Sequence, residues 1–170
     1  MKQLILFAAL CCYSLVSFSQ SIKIDQTNAK VTFYFHGDKV DGTVAGFKGA
    51  IQFDPSKPES ASISGSVDAA TLNTGNKARD KHLKSGDFFE VEKYPTMRFK
   101  ASSVKKENDD FVLVGKMTIK DVTREEKFSM SIQNGSLIFK STINSADYGI
   151  MKKKKREDSI VDITIVIPIL

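Results

Sequence analysis

Val31-Thr32-Phe33-Tyr34-Phe35-His36 alternates apolar and polar side chains with a period of two, which marks a β-strand with one buried face. Carried along the chain, the same parity selects Phe47, Gly49, Ile51 and Phe53, then Ala61, Ile63, Gly65 and Val67. It continues through Met97, Phe99, Ala101 and Ser103, and through Phe111, Leu113, Gly115, Met117 and Ile119. Phe128, Met130 and Ile132 follow, then Leu137, Phe139, Ser141 and Ile143, and last Val161, Ile163, Ile165 and Ile167. The opposite faces are mostly polar, so the pattern predicts eight main strands, with Ser21 to Asp25 as a short further piece. Asn108-Asp109-Asp110 and Asn134-Gly135 supply hairpin turns, and sequential antiparallel pairing follows.

Only the stretch from Ala69 to Pro95 lacks strand character. Within it a short helix is predicted in the region 76–86, with Asn76 as N-cap and Gly86 as the stop. One short helix cannot cover eight half-apolar strands, so the sheet must cover itself, as a barrel or a two-layer sandwich. The fold class is therefore all-β. The apolar faces mix large rings with Gly49, Gly65, Ala101, Gly115 and Ser141. That mixture suits an elongated cavity and equally a solid core of interlocking large and small side chains.

The 170 residues carry 25 Lys+Arg against 20 Asp+Glu, a formal charge of +5, with 41% hydrophobic and 26% charged residues. These proportions fit one globular domain and exclude disordered, collagen-like and multi-span membrane classes. Lys152, Lys153, Lys154, Lys155 and Arg156 form one run; without it and Lys2, the rest of the chain is nearly neutral. The run is read as an exposed loop able to touch an anionic membrane surface transiently. Nucleic acid is not an expected partner, since no aromatic residue lies within the run and the remainder has little net charge.

Lys2 followed by the apolar stretch from Leu4 to Val16, with small residues Ser17 and Ser19, reads as a secretory signal over residues 1–19. Cleavage after Ser19 leaves a domain over 20–170, exported to a periplasmic or extracellular location. Leu10 and Cys11 precede Cys11 and Cys12, where a lipid-anchor motif would need a small residue. Both cysteines leave with the leader, so the mature domain has no thiol for disulfide, metal or nucleophilic chemistry. Only His36 and His82 remain as imidazoles, and no metal site is expected. His36 sits on a polar strand face and is expected to be solvated. Arg79, Asp80 and His82 are the one cluster with a chemical look: a structural clasp at a barrel end, a head-group site, or an acid–base pair. Val112, Val114 and Ile138 are apolar on outward faces and are candidates for a contact surface.

Arg79-Asp80-Lys81-His82-Leu83-Lys84-Ser85-Gly86-Asp87-Phe88-Phe89, followed by Lys93-Tyr94-Pro95-Thr96-Met97-Arg98-Phe99, resembles the signature of the YceI-like family. Gly46-Phe47, Gly49, Phe53-Asp54-Pro55 and the run from Gly115 to Thr123 extend the resemblance over most of the mature chain. It implies an extended, antiparallel, eight-stranded lipocalin-like β-barrel, exported in bacteria and non-enzymatic. Such a barrel holds an isoprenoid-like or other long amphipathic lipid, such as a polyprenyl phosphate or isoprenoid quinone, in an apolar tunnel. No other cofactor is implied, and the chain is expected as a monomer or homodimer. On this resemblance the tunnel lining is drawn from Phe33, Phe35, Phe47, Ile63, Leu83, Phe88, Phe89, Phe99, Leu113, Met117, Met130 and Phe139. Arg79, Asp80 and His82 are then the head-group or barrel-end candidates. The other readings are an enzyme acting on a bound lipid or quinone through Asp80 and His82, and a ligand-free adaptor barrel. Two positions depart from the family pattern: Asp121 stands where glycine is usual, and Ser145 where arginine is frequent.

Overall fold

In a computed structural model, residues 22–150 and 155–170 are described. Nine antiparallel strands form one sheet: β1 (Lys30–Phe35), β2 (Val40–Val44), β3 (Lys48–Gln52), β4 (Ser62–Asp68), β5 (Thr96–Glu107), β6 (Asp110–Ile119), β7 (Val122–Gln133), β8 (Ser136–Asn144) and β9 (Ile160–Pro168). Their order is β2-β1-β9-β8-β7-β6-β5-β4-β3. From β3 to β9 each strand pairs with its successor, through short turns between β5 and β8 and longer connections elsewhere, and β1 then joins β9 to continue the curl. The two edge strands, β2 and β3, are consecutive in the chain and linked only by residues 45–47. The sheet therefore curls round on itself with a seam where no ladder runs.

The all-β antiparallel barrel architecture agrees with the parity reading, and the strand count is corrected from eight to nine. The extra strand is β2, Val-Asp-Gly-Thr-Val, too short and polar to show alternation clearly. Its free edge is covered by Asn73, whose backbone exchanges hydrogen bonds of 2.8 and 3.0 Å with Thr43. The piece expected at Ser21 to Asp25 reduces to a single bridge between Ile24 and Ile169. Parity also slips once: a bulge between Ala101 and Ser103 turns Ser103 to the outer face opposite Val114 and brings Val104 inward opposite Leu113.

The helix α1 (Lys77–Lys84) starts as expected, with the Asn76 side chain accepting a hydrogen bond from the Arg79 N–H at 3.1 Å. It ends one turn position early, at a Ser85 cap rather than at Gly86. Two-residue turns connect β5 to β6, β6 to β7 and β7 to β8. In the second of these Lys120 carries the left-handed backbone (φ 55), while Asp121 does not, so replacing the family's glycine at 121 costs no strain.

The interior has two unlike halves. Toward the β5–β6 and β7–β8 turns it is solid: Phe53, Leu113, Met130, Leu137 and Ile167 are all at most 1% exposed. There the Phe53 and Phe111 rings meet edge to face, with centroids 4.8 Å apart. Toward α1 it is hollow.

Candidate functional site

The hollow half is a cavity of about 190 Å³ with an almost wholly apolar wall. Its floor is the layer of Leu113, Phe128, Phe139 and Ile167, beneath which the solid core begins. Leu72, Leu83 on α1 and Phe89 close the opposite side. Three aromatic rings lie over glycines. Phe33 covers Gly42, its cross-strand partner; Phe47 covers Gly49 and Gly65, which face each other; and Phe99 covers Gly115. A Cβ at Gly49 would come within 2.7 Å of the Phe47 ring, and one at Gly115 within 2.6 Å of the Phe99 ring. With glycine there, each ring folds back against the sheet instead of projecting across the bore. The small residues on the apolar faces thus make seats for large ones.

Ten of the twelve residues named as lining border this cavity. Phe88 and Met130 do not. Phe88 packs its ring against His82 at 4.7 Å near the surface, and Met130 belongs to the solid half. The wall also includes residues that were not singled out. Ile163, Ile165 and Ile167 of β9, with Phe128 and Ile143, share the inward parity and could have been chosen by it. Tyr148 and Ile150 carry no such signal, because they follow β8 in a polar turn. Tyr148 is 1% exposed, and its hydroxyl donates to Glu126 Oε1 at 2.8 Å. Burial, followed by this bond, pushes the phenol well above its usual range, so it stays protonated.

Of the polar cluster, only Arg79 reaches the cavity, together with Thr74. Arg79 Nε donates to Thr74 Oγ1 at 2.7 Å and Nη2 to the Thr74 carbonyl at 2.9 Å. Thr74 in turn donates to Asp80 Oδ1 from its hydroxyl (2.6 Å) and its backbone N–H (2.8 Å). These bonds, helped by the charges of Lys84 and Arg79, hold the Asp80 carboxyl below the ordinary aspartate range. Asp80 is thus an ionised clasp that orients Thr74 and Arg79. His82 lies two residues on, on another face of α1, with Nε2 3.5 Å from Asp87 in an exposed pair. The structure does not bring Asp80 and His82 together as an acid–base pair.

Two further expectations change. His36 is not merely solvated: its Nε2 is 2.7 Å from Asp162 Oδ2, and Thr142 donates to the other oxygen at 2.6 Å. Ser145, at the position where relatives often carry arginine, is buried at the cavity wall, with its hydroxyl donating to the Ser159 carbonyl at 3.0 Å. No charge is offered at that point. Of the basic run, Lys152, Lys153 and Lys154 lie outside the described residues, as do the leader and both cysteines. Arg156 is engaged with Asp147 through two bonds of 2.6 and 2.7 Å.

A curled antiparallel sheet around an apolar cavity, capped by a short helix, defines the class of lipocalin-like barrels. Within that class the chain belongs to the YceI-like domain family, whose pattern it matches over residues 22–169. A UPF0312 protein of Photorhabdus laumondii is 39% identical over 83 residues, which is 49% of this chain and 43% of that protein. The chain thus aligns with less than half the length of that relative. Among solved structures, BcnA of Burkholderia cenocepacia superposes with a TM-score of 0.73 at 21% identity, covering 86% of this chain and 98% of that one. A polyisoprenoid binding domain from Saccharophagus degradans gives 0.58 at 12% identity, over 86% and 96%. At such identities these two show a shared fold.

Proposed function

We propose that this chain is an exported, non-enzymatic binding protein that holds an isoprenoid-like or other long amphipathic lipid, tail in the cavity and polar head at Arg79. The observation that carries this reading is the cavity wall itself. Its surface offers a tail almost wholly apolar contact, and among the described residues no buried side-chain N or O lacks a hydrogen-bond partner. Such a wall gives affinity at about 25 cal/mol per Å² of apolar surface removed from water.

Arg79 adds selectivity at the rim. Two of its donors hold Thr74, and Nη1 makes no hydrogen bond among the described residues, which suits a phosphate or carbonyl-bearing head. The polyisoprenoid-binding domain of Saccharophagus degradans, with its similar fold, supports an isoprenoid as cargo. The signal-like leader supports export, and a carrier, storage or scavenging role follows from reversible burial. As it stands the hollow is only slightly larger than a ~150 Å³ cavity known to hold one benzene. A long chain therefore enters by parting the seam between β2 and β3.

The test is organic extraction and mass spectrometry of the mature protein from its native host, beside native mass spectrometry of the intact complex. A stoichiometric prenyl lipid or quinone is the expected result. A protein that is empty, and that also refuses prenyl lipids offered in excess, would end the carrier reading.

A further inference from the structure

The outer faces of β5, β6 and β7 carry a pattern that the cavity does not explain. Lys100 stands directly opposite Lys116, Lys127 opposite Val114, and Lys105 opposite Val112; Arg98, which also borders the cavity, follows one step further along β5. All five basic side chains are exposed. Adjacent strands lie about 4.8 Å apart, so this charge occupies a strip roughly 10 Å wide. On these three outer faces Glu125 is the one carboxylate away from the Glu107–Asp110 turn. None of the five cations makes an ion pair among the described residues, although Arg156, Lys120 and Lys93 do elsewhere. Lys48 on β3 and Lys140 on β8 continue the same sign on either side.

Like charges placed directly opposite each other destabilise a sheet; Lys116 has Glu125 opposite it on β7, but Lys100, Lys105, Lys127 and Arg98 face no carboxylate across β5–β7, so the strip keeps a net positive charge that a negative counter-surface complements. Val112 and Val114, half-buried among the lysine stems, give the strip a shallow apolar element as well. We propose that this flank is the docking surface for an anionic lipid bilayer, on which the protein rests while cargo passes between membrane and cavity. The proposal builds on the lipid-holding reading, because an apolar tail is available to a soluble carrier chiefly at a membrane. Nucleic acid fits less well: no aromatic side chain stands on these three outer faces for bases to stack on, and no helix or ribbon projects from them into a groove.

The experiment is co-sedimentation of the mature protein with vesicles of phosphatidylcholine, alone or mixed with phosphatidylglycerol, at low and high salt. Binding is expected only to the mixed vesicles and is expected to fade as salt rises. Each basic residue at such a surface contributes about fivefold, so Lys100→Gln/Lys116→Gln/Lys127→Gln weakens binding roughly 100-fold. Its melting temperature should stay close to the parent's, since all three side chains are exposed and the changes remove one like-charged and one opposite-charged cross-strand pair. The control Lys77→Gln/Lys81→Gln on α1 is expected to bind like the parent. Failure of the parent to bind mixed vesicles overturns the proposal, as does an unaffected triple variant, or loss of binding on neutralising Lys152 to Lys155 instead. Cargo is read separately by extraction, so a protein that docks but never holds lipid removes the carrier reading and leaves the docking surface standing.

Discussion

Gly49→Ala is expected to leave the barrel folded and close its bore. The added methyl would lie 2.7 and 2.9 Å from two atoms of the Phe47 ring, against the 3.5–4.0 Å that carbon atoms prefer, while its nearest backbone neighbour, the Ser64 carbonyl oxygen, is 3.4 Å away. The ring is the far end of a side chain, so it gives way by about 1 Å, and the sheet behind Gly49 leaves it only the lumen. The cost to folding is at the low end of overpacking, about 1 kcal/mol. A ring in the bore displaces roughly three carbons of a bound chain at about 0.8 kcal/mol each, some 2.4 kcal/mol or about 60-fold in affinity. A fluorescent prenyl or polyene probe titrated into parent and variant reads the affinity, and a thermal melt reads the stability. A folded variant that takes up the probe as tightly as the parent would refute the idea that glycine seats keep this cavity open.

The remaining expectations use the same contrasts. Gly115→Ala meets backbone as well as a ring tip, at the Lys100 carbonyl and the Ala101 Cα besides Phe99, and the backbone cannot swing aside, so a melt should show a loss of about 3 kcal/mol, at the upper end of the overpacking range. Met130→Ala should lower stability by about 2–5 kcal/mol while leaving probe affinity unchanged, because Met130 belongs to the solid half. Asp80→Asn should destabilise at neutral pH by about 1 kcal/mol, the scale of a partly screened charged hydrogen bond. Because the Asp80 carboxyl is depressed in the folded protein, its contribution is full above the unfolded aspartate value near 3.9 and is lost as pH falls through the folded value. Melts of parent and variant should therefore converge in acid, and a gap that persists there would contradict the ionised-clasp role. Arg79→Gln should weaken a phosphate-bearing prenyl probe more than a neutral one of equal length, measured by competition.

Strict alternation made most of this fold legible in the sequence, because a half-buried strand displays its period directly. It failed where the period breaks. The Ala101–Ser103 bulge inverts the faces for the rest of β5, and β2 is five residues with glycine at its centre. The site was legible only in part. Parity finds inward residues, yet Met130 and Leu113 share that parity on neighbouring strands, and only Leu113 reaches the cavity. What separates hollow from solid is whether a ring finds a glycine behind it, a relation between strands that one-dimensional spacing does not display. Tyr148 was invisible for another reason: its burial depends on the turn after β8 folding inward to meet Glu126. In the Arg79–Asp80–His82 run, sequence proximity overstated spatial proximity, since residues two apart on a helix diverge.

The seam between β2 and β3 has a mechanical meaning. A fully laddered barrel has its diameter fixed by strand number and stagger, and widening it would break a row of hydrogen bonds. Here the circumference is completed by the link 45–47, by bonds between Ala45 and both the Asp68 N–H and the Thr71 hydroxyl, by the two Thr43–Asn73 bonds at the β2 edge, and by the Gln26 side chain, which accepts from the Gly49 N–H at the β3 edge. The wall is therefore a split ring rather than a tube: parting it at the seam breaks these loop and side-chain bonds and leaves all eight ladders intact.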